Sequence, residues 1–177
     1  MRVFKQCHYK IIHRLSMNLD KENCEDKNGA NVKFPPPLIP IVVVLIAYFI
    51  HRAFPLTIWS GYILHIVGFI LIIAGIGLGL VFFVSFKKAG IRIEPWRPTN
   101  HMVTSGVYAY TRNPAYLSFC IIIIGLGFIY NSLWILFSFI PASYLVWVLV
   151  IKKEEAYLEA KFGEKYTHYK EQVRRWI

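Results

Sequence analysis

Val103-Thr104-Ser105-Gly106-Val107-Tyr108-Ala109-Tyr110-Thr111-Arg112-Asn113-Pro114-Ala115-Tyr116 is the stretch from which the rest of the chain is read. It stands between two long uncharged regions and holds a glycine, a proline, three tyrosines and an arginine just before the sequence turns apolar. A plain connection between membrane helices needs none of these. Gly106 permits positive φ, while Pro114 sets its own φ and pushes Asn113 away from the helical region. The pattern therefore predicts a shaped turn that carries Arg112 at a membrane edge, with Tyr108, Tyr110 and Tyr116 beside it. It reads as half of a binding site, and the other half is the acidic pair Glu154 and Glu155.

The surrounding composition explains the membrane edge. The 177 residues are 56% hydrophobic and 16% aromatic with mean hydropathy +0.45, values that in so short a chain point to a single membrane domain. The net charge of +10 would suit nucleic acid, but no Asp, Glu, Lys or Arg occurs in 34–50, 53–86 or 113–151. Charge confined between apolar runs fits basic loops on an anionic lipid surface, and speaks against a nucleic-acid partner. Cys7, Cys24 and Cys120 form neither a disulfide framework nor a metal-ligand spacing.

Working outward, the predicted fold is all-α and polytopic, with about four transmembrane helices. Residues 1–37 read as a mobile basic tail, of which 1–16 could form a basic amphipathic helix on the membrane. Residues 38–177 read as the membrane domain. The first span runs from Leu38 to Phe54, and the second lies within Leu56 to Phe86, long enough to tilt or protrude. The region from Tyr116 to Ile151 fits two spans only around a tight turn, which Tyr130, Asn131 and Ser132 would supply, with Ser132 as N-cap. Pro141 would kink the fourth span, and a fifth short or re-entrant element has room between Lys87 and Arg112.

Seven basic residues precede the first span, five lie between the second and third, seven follow the fourth, and Arg52 alone lies between the first and second. The positive-inside rule thus predicts an integral membrane protein with both termini in the cytoplasm, whether of a bacterial inner membrane or the endoplasmic reticulum. The turn at Val103–Tyr116 faces the same side. Gly75 and Gly79 have the spacing of close helix packing, and His65 reads as a packed polar contact. After Ile151 the chain predicts one amphipathic helix stopped by Gly163, then a cytosolic segment whose stripe of Tyr166, Tyr169 and Val173 can lie on the membrane or on the core.

The turn resembles the Val-Thr-x-Gly-x-Tyr-x-x-x-Arg-(His or Asn)-Pro-x-Tyr signature of the isoprenylcysteine carboxyl methyltransferases and the related phospholipid methyltransferases. The tail is similar to the same family's pattern at Glu154, Glu155, Gly163, Glu164, Tyr166 and Tyr169. The resemblance covers about residues 85 to 175, expected as the cofactor-binding half. It implies a membrane methyltransferase that uses S-adenosylmethionine and acts on a lipid or lipidated substrate. By the same resemblance Tyr108, Arg112, Asn113, Pro114, Tyr116, Glu154 and Glu155 belong to the cofactor pocket.

The expected reaction is direct displacement. A substrate carboxylate is already ionised at neutral pH, with a reference pKa of about 3.5, and needs no base. Arg112, or Arg174 and Arg175, could orient it by paired hydrogen bonds. Asn113 replaces the histidine of the prenylcysteine enzymes, and Val150 and Ile151 stand just before the lysines and acids where an arginine is absent. An amino-lipid acceptor is thus the alternative, and it would require Tyr or Glu as base. A non-catalytic scaffold or lipid-binding protein is the reading from another class.

Overall fold

The computed structural model describes residues 30, 32, 34–58, 61–88 and 102–177. Among these every regular element is helical. Most of the expected N-terminal tail, and the room for a re-entrant element at 89–101, lie outside the described residues. Ala30 and Val32 are described, and both are buried against Val146, Val150 and Ile151.

Prolines set the first helix in place. Leu38 and Ile39 donate their N–H groups to the carbonyls of Pro35 and Pro36 at 3.0 and 3.3 Å, so helix α1 (Leu38–Ala53) starts on a preformed turn. Helix α2 (Tyr62–Lys88) has 27 residues and spans about 40 Å. A single 3-10 turn, Gly106–Ala109, follows Gly106 at φ 66°, and helix α3 (Pro114–Ile129) begins at the proline. Tyr130 and Asn131 then reverse the chain. Asn131 takes φ 47°, and the Ser132 hydroxyl caps the next helix by accepting from the Ile135 N–H at 3.3 Å, as the turn residues predicted.

The return is one helical rod with two irregularities. Short helix α4 (Leu133–Phe137) breaks at Ser138 before α5 (Phe139–Val146), one turn upstream of Pro141, whose ring crowds the carbonyl four residues back. A π turn, Trp147–Ile151, then joins α5 to α6 (Lys152–Phe162). The apolar section of the rod ends at Ile151, and α6 is its polar extension. Gly163 stops α6 at φ 52°, and α7 (Glu164–Gln172) follows directly.

Two helices, Tyr62–Lys88 and the run Leu133–Phe162, are long and apolar enough to cross a membrane, while α1 and α3 are equally apolar but shorter at 16 residues each. The outer surface needs such a solvent. Phe49, Ile70 and Ile73 are each at least 60% exposed, a display that water would penalise heavily and lipid would not.

Between lipid-bathed helices, close approach substitutes for a hydrophobic driving force. Helices α2 and α3 run antiparallel at near backbone contact: a Cβ on Gly68 would meet the Gly125 carbonyl oxygen at 2.8 Å, and one on Gly125 would meet that of Gly68 at 2.8 Å. Gly75 meets Ser118 and Ile122 in the same way, so the close packing expected there is present, whereas Gly79 has only ordinary contact with Ser118. His65, expected as a packed contact, is instead exposed, its ring nitrogen 3.4 Å from the Gly61 carbonyl one turn back.

The far end of the bundle is pinned by Trp134, whose ring N–H donates to the Phe54 carbonyl at 2.8 Å, and by Asn131, whose side-chain oxygen accepts from Ile58 at 3.0 Å. Arg52 lies at this end. Lys87, Lys88, Arg112 and the described basic residues from Lys152 onward lie at the other, together with the turn and the acidic pair.

Gly125→Val should lower stability by about 1–3 kcal/mol through overpacking, while Gly77→Ala, where nothing lies within 4 Å, should be neutral or raise it by up to about 1 kcal/mol. Thermal unfolding of the two variants in detergent reads both signs.

Candidate functional site

The two stretches singled out in the sequence meet at the charged end of the bundle. The Tyr116 hydroxyl, in the first turn of α3, donates to Glu154 Oε1 at 3.0 Å across 38 residues of sequence. Arg112 Nη1 lies 3.2 Å from Glu155 Oε1. Helix α3 carries the chain away, the rod brings it back, and the acidic pair arrives beside the turn.

Each turn residue has a physical task. Pro114 is fully buried as the first residue of α3, and Asn113 is 8% exposed. Asn113 does not cap its own helix; its side-chain N–H instead donates to the Arg175 carbonyl at 3.0 Å. The Thr111 hydroxyl donates to the same carbonyl at 3.3 Å and accepts the Asn113 N–H at 3.2 Å. The Arg112 backbone N–H donates to the Arg174 carbonyl at 3.1 Å. Tyr108 is placed by rings and backbone: it stacks obliquely on Phe82 and Phe86, with centroids 6.4 and 5.8 Å away, and its carbonyl accepts from the Tyr169 hydroxyl at 2.6 Å.

The stripe expected on α7 faces the protein. Tyr166, Tyr169 and Val173 are buried together, with Met102, Leu158 and Phe162 packed around them. After Val173 the chain is extended, at φ −120° and ψ 128°, so neighbouring side chains diverge. Arg174 accordingly points outward and is exposed, contributing its backbone. Arg175 points inward and forks onto Glu155, Nε to Oε1 at 2.9 Å and Nη2 to Oε2 at 2.8 Å. Of the two tail arginines, then, Arg175 is the one beside the acidic pair.

Two further residues lay outside the sequence reading. Trp147, in the π turn, carries Lys152 Nζ 4.3 Å and Arg175 Cζ 5.8 Å from its ring centroid. Trp176 joins Pro40, Tyr116, Phe119, Ile123 and Val146 in lining a small apolar recess of about 10 Å³ between α1, α3 and α5.

The electrostatics separate the two glutamates. Burial pushes Glu154 up to about 7, opposed by the hydrogen bond from Tyr116 and reinforced by the charge of Glu155. Burial, with Glu154 nearby, also drives the Tyr108 phenol well above its ordinary range, so it stays a neutral hydrogen-bonding ring. Burial and the charge of Glu155 push Tyr166 up to about 12 against the opposing influence of Arg112. Arg112 has its side chain 12% exposed, with Nη1 ion-paired to Glu155 Oε1 at 3.2 Å and Tyr166 beside the guanidinium; among the described residues its buried Nε has no hydrogen-bond acceptor. Buried donors of this kind are costly unless an acceptor completes them. The arrangement thus offers an arginine anchored to Glu155 with a further donor, Nε, lacking an acceptor among the described residues, one half-buried carboxyl poised near neutrality, and tyrosine rings.

Residues 63–165 match the phospholipid methyltransferase family. The chain belongs to that family. The matched segment begins at the start of α2 and contains both the turn and the acidic pair. Over 75 residues, 41% of this chain and 30% of its counterpart, the sequence is 35% identical to a protein-S-isoprenylcysteine O-methyltransferase of Schizosaccharomyces pombe. Over 51 residues, 26% of this chain and 81% of the other, it is 41% identical to an uncharacterized protein of Haemophilus influenzae.

Because Glu154 holds its proton more tightly folded than unfolded, stability should fall as pH rises from the unfolded carboxyl value, about 4.5, to above the folded value, about 7. Thermal midpoints of wild type and Glu154→Gln between pH 5 and 8 should show this fall only in the wild type. Tyr116→Phe, which removes the bond favouring the charged form, should shift the fall to higher pH.

Proposed function

We propose that this protein is an S-adenosylmethionine-dependent methyltransferase of the membrane, acting on a carboxylate of a lipidated or hydrophobic molecule at the cytosolic face. The observation that carries the reading is the meeting of the turn with the acidic pair, Tyr116 on Glu154 at 3.0 Å and Arg112 on Glu155 at 3.2 Å, all four side chains part-buried. A scaffold has no need to bring these four polar side chains together at the end of an apolar bundle.

The residues suit the cofactor. S-adenosylmethionine supplies a methyl group on a positively charged sulfur, together with ribose hydroxyls, an ammonium and a carboxylate. Glu154 would accept hydrogen bonds from hydroxyls or the ammonium, and Tyr108 and Tyr116 would offer ring faces to a cation. Arg112, paired with Glu155 through Nη1, would turn its remaining donors to a carboxylate, the cofactor's own or the acceptor's, and fix its direction. No proton has to move in that case, so the protein's part is alignment and exclusion of water.

Helices α1, α2, α3 and the rod Leu133–Phe162 are read as four spans, short helices included, with the charged end in the cytoplasm. Nineteen of the twenty basic residues fall on that side, where a soluble cofactor is found. The apolar surface beside Tyr116 and Trp176 would lie against the apolar part of the acceptor.

A second reading, an amino-lipid acceptor, is favoured by one specific observation. Glu154 is a half-buried carboxyl pushed up to about 7 and touching Tyr116, the character of a group able to take a proton from an ammonium at neutral pH.

Calorimetric titration of S-adenosylmethionine into the purified protein in detergent should give a Kd of roughly micromolar, about 8 kcal/mol, lost or strongly weakened in Glu154→Gln. A stable wild type that binds nothing would sink the methyltransferase reading. Lipid extracts from cells with and without the protein then separate the acceptors: methylated amino head groups support the amine, and their absence beside a methyl ester supports the carboxylate.

A further inference from the structure

We propose that Arg175 is a positioning residue of this site, that Glu155 is its strut rather than a cofactor ligand, and that Glu154 is the acid of the pair that meets the cofactor. The inference rests on the methyltransferase reading above and deepens it. Of its three residues Arg175 lies beyond the matched segment, which ends at 165, in the extended stretch after α7.

Both oxygens of Glu155 are occupied. Oε1 accepts from Arg175 Nε at 2.9 Å and lies 3.2 Å from Arg112 Nη1, and Oε2 accepts from Arg175 Nη2 at 2.8 Å. A planar fork on a carboxylate fixes its rotation as well as its place. A hydroxyl arriving at Glu155 would have to displace that fork. Glu154 instead spends Oε1 on a neutral phenol, Tyr116, which can turn aside or share.

Arg175 is itself held rigidly. Its carbonyl accepts from Asn113 and Thr111, the carbonyl before it accepts from the Arg112 N–H, Val173 is buried, and its guanidinium lies over Trp147. The backbone of this stretch therefore grips the turn while its side chain grips the rod. Arg112, with its side chain 12% exposed, is aimed by Glu155, and Glu155 is aimed by Arg175. Replacing Arg175 would free Glu155 to swing, and the direction of the Arg112 guanidinium paired with it would swing too.

A double-mutant cycle on cofactor affinity tests the assignment. With wild type, Arg175→Gln, Glu155→Gln and the double variant each shown to unfold cooperatively in detergent, calorimetric titration of S-adenosylmethionine should show each single variant weakened about tenfold or more. The double variant should be within about twofold of the weaker single one, because the two side chains act as one unit. Glu154→Gln placed on Arg175→Gln should add its full separate loss. Arg175→Lys, which keeps the charge but not the fork, should recover part of the affinity, and it carries the same cycle if Arg175→Gln does not fold. Unchanged affinity in a folded Arg175→Gln protein, or additive losses with Glu155→Gln, overturns the assignment alone. A stable wild type that binds no S-adenosylmethionine overturns the methyltransferase reading, and this assignment with it.

Discussion

One carboxylate, that of Glu155, stands between two guanidinium groups, and the charged end of the molecule is built around it. Arg112 reaches it from the turn before α3, Arg175 from the extended stretch after α7, and Glu155 itself arrives on the rod. Three segments distant in sequence thus share one ion cluster. Two positive charges on one negative leave a surplus, and among the described residues Arg112 Nε has no acceptor. Removing one partner from such a cluster is far costlier than its net contribution, because the remaining charges stay buried and uncompensated. The geometry of the site and the docking of the final stretch are therefore one structural fact.

The rest of the bundle serves to deliver those segments to one place. Helices α2 and α3 touch almost backbone to backbone at Gly68 and Gly125, and α3 and the rod do so where Gly127 meets Leu136. Lipid offers no hydrophobic penalty for separation, so these close contacts, with the hydrogen bonds of Trp134 and Asn131 at the far end, set the register. A slip of one turn would move Glu154 about 5.4 Å from the Tyr116 hydroxyl.

Much of this was legible in the chain. Glycine, proline, arginine and tyrosines crowded at a membrane edge are conspicuous, and the cap at Ser132 and the stop at Gly163 are local events that neighbouring residues decide. The tyrosine stripe of α7 was legible as a stripe, but periodicity cannot say whether lipid or protein covers it; Leu158, Phe162 and Met102 do. The choice between Gly68 and Gly79 as the tight contact depends on how α2 meets α3, which neither helix encodes alone. Arg175 was hidden for a different reason. A helical period carried through Val173 ranks the two arginines alike, whereas the change to extended backbone at that residue sends one outward and the other onto Glu155.

The π turn at Trp147–Ile151 has a consequence for the acids that follow it. An extra residue absorbed in one turn sets every later side chain back by one α-helical position, about 100° of bearing. Had the rod run as an unbroken α-helix, the direction now held by Glu154 would belong to Lys153, and Glu154 would take that of Glu155. A cation would then face Tyr116 in place of the carboxyl. The polarity of the pocket is thus written in the winding of the helix as much as in the letters of its sequence.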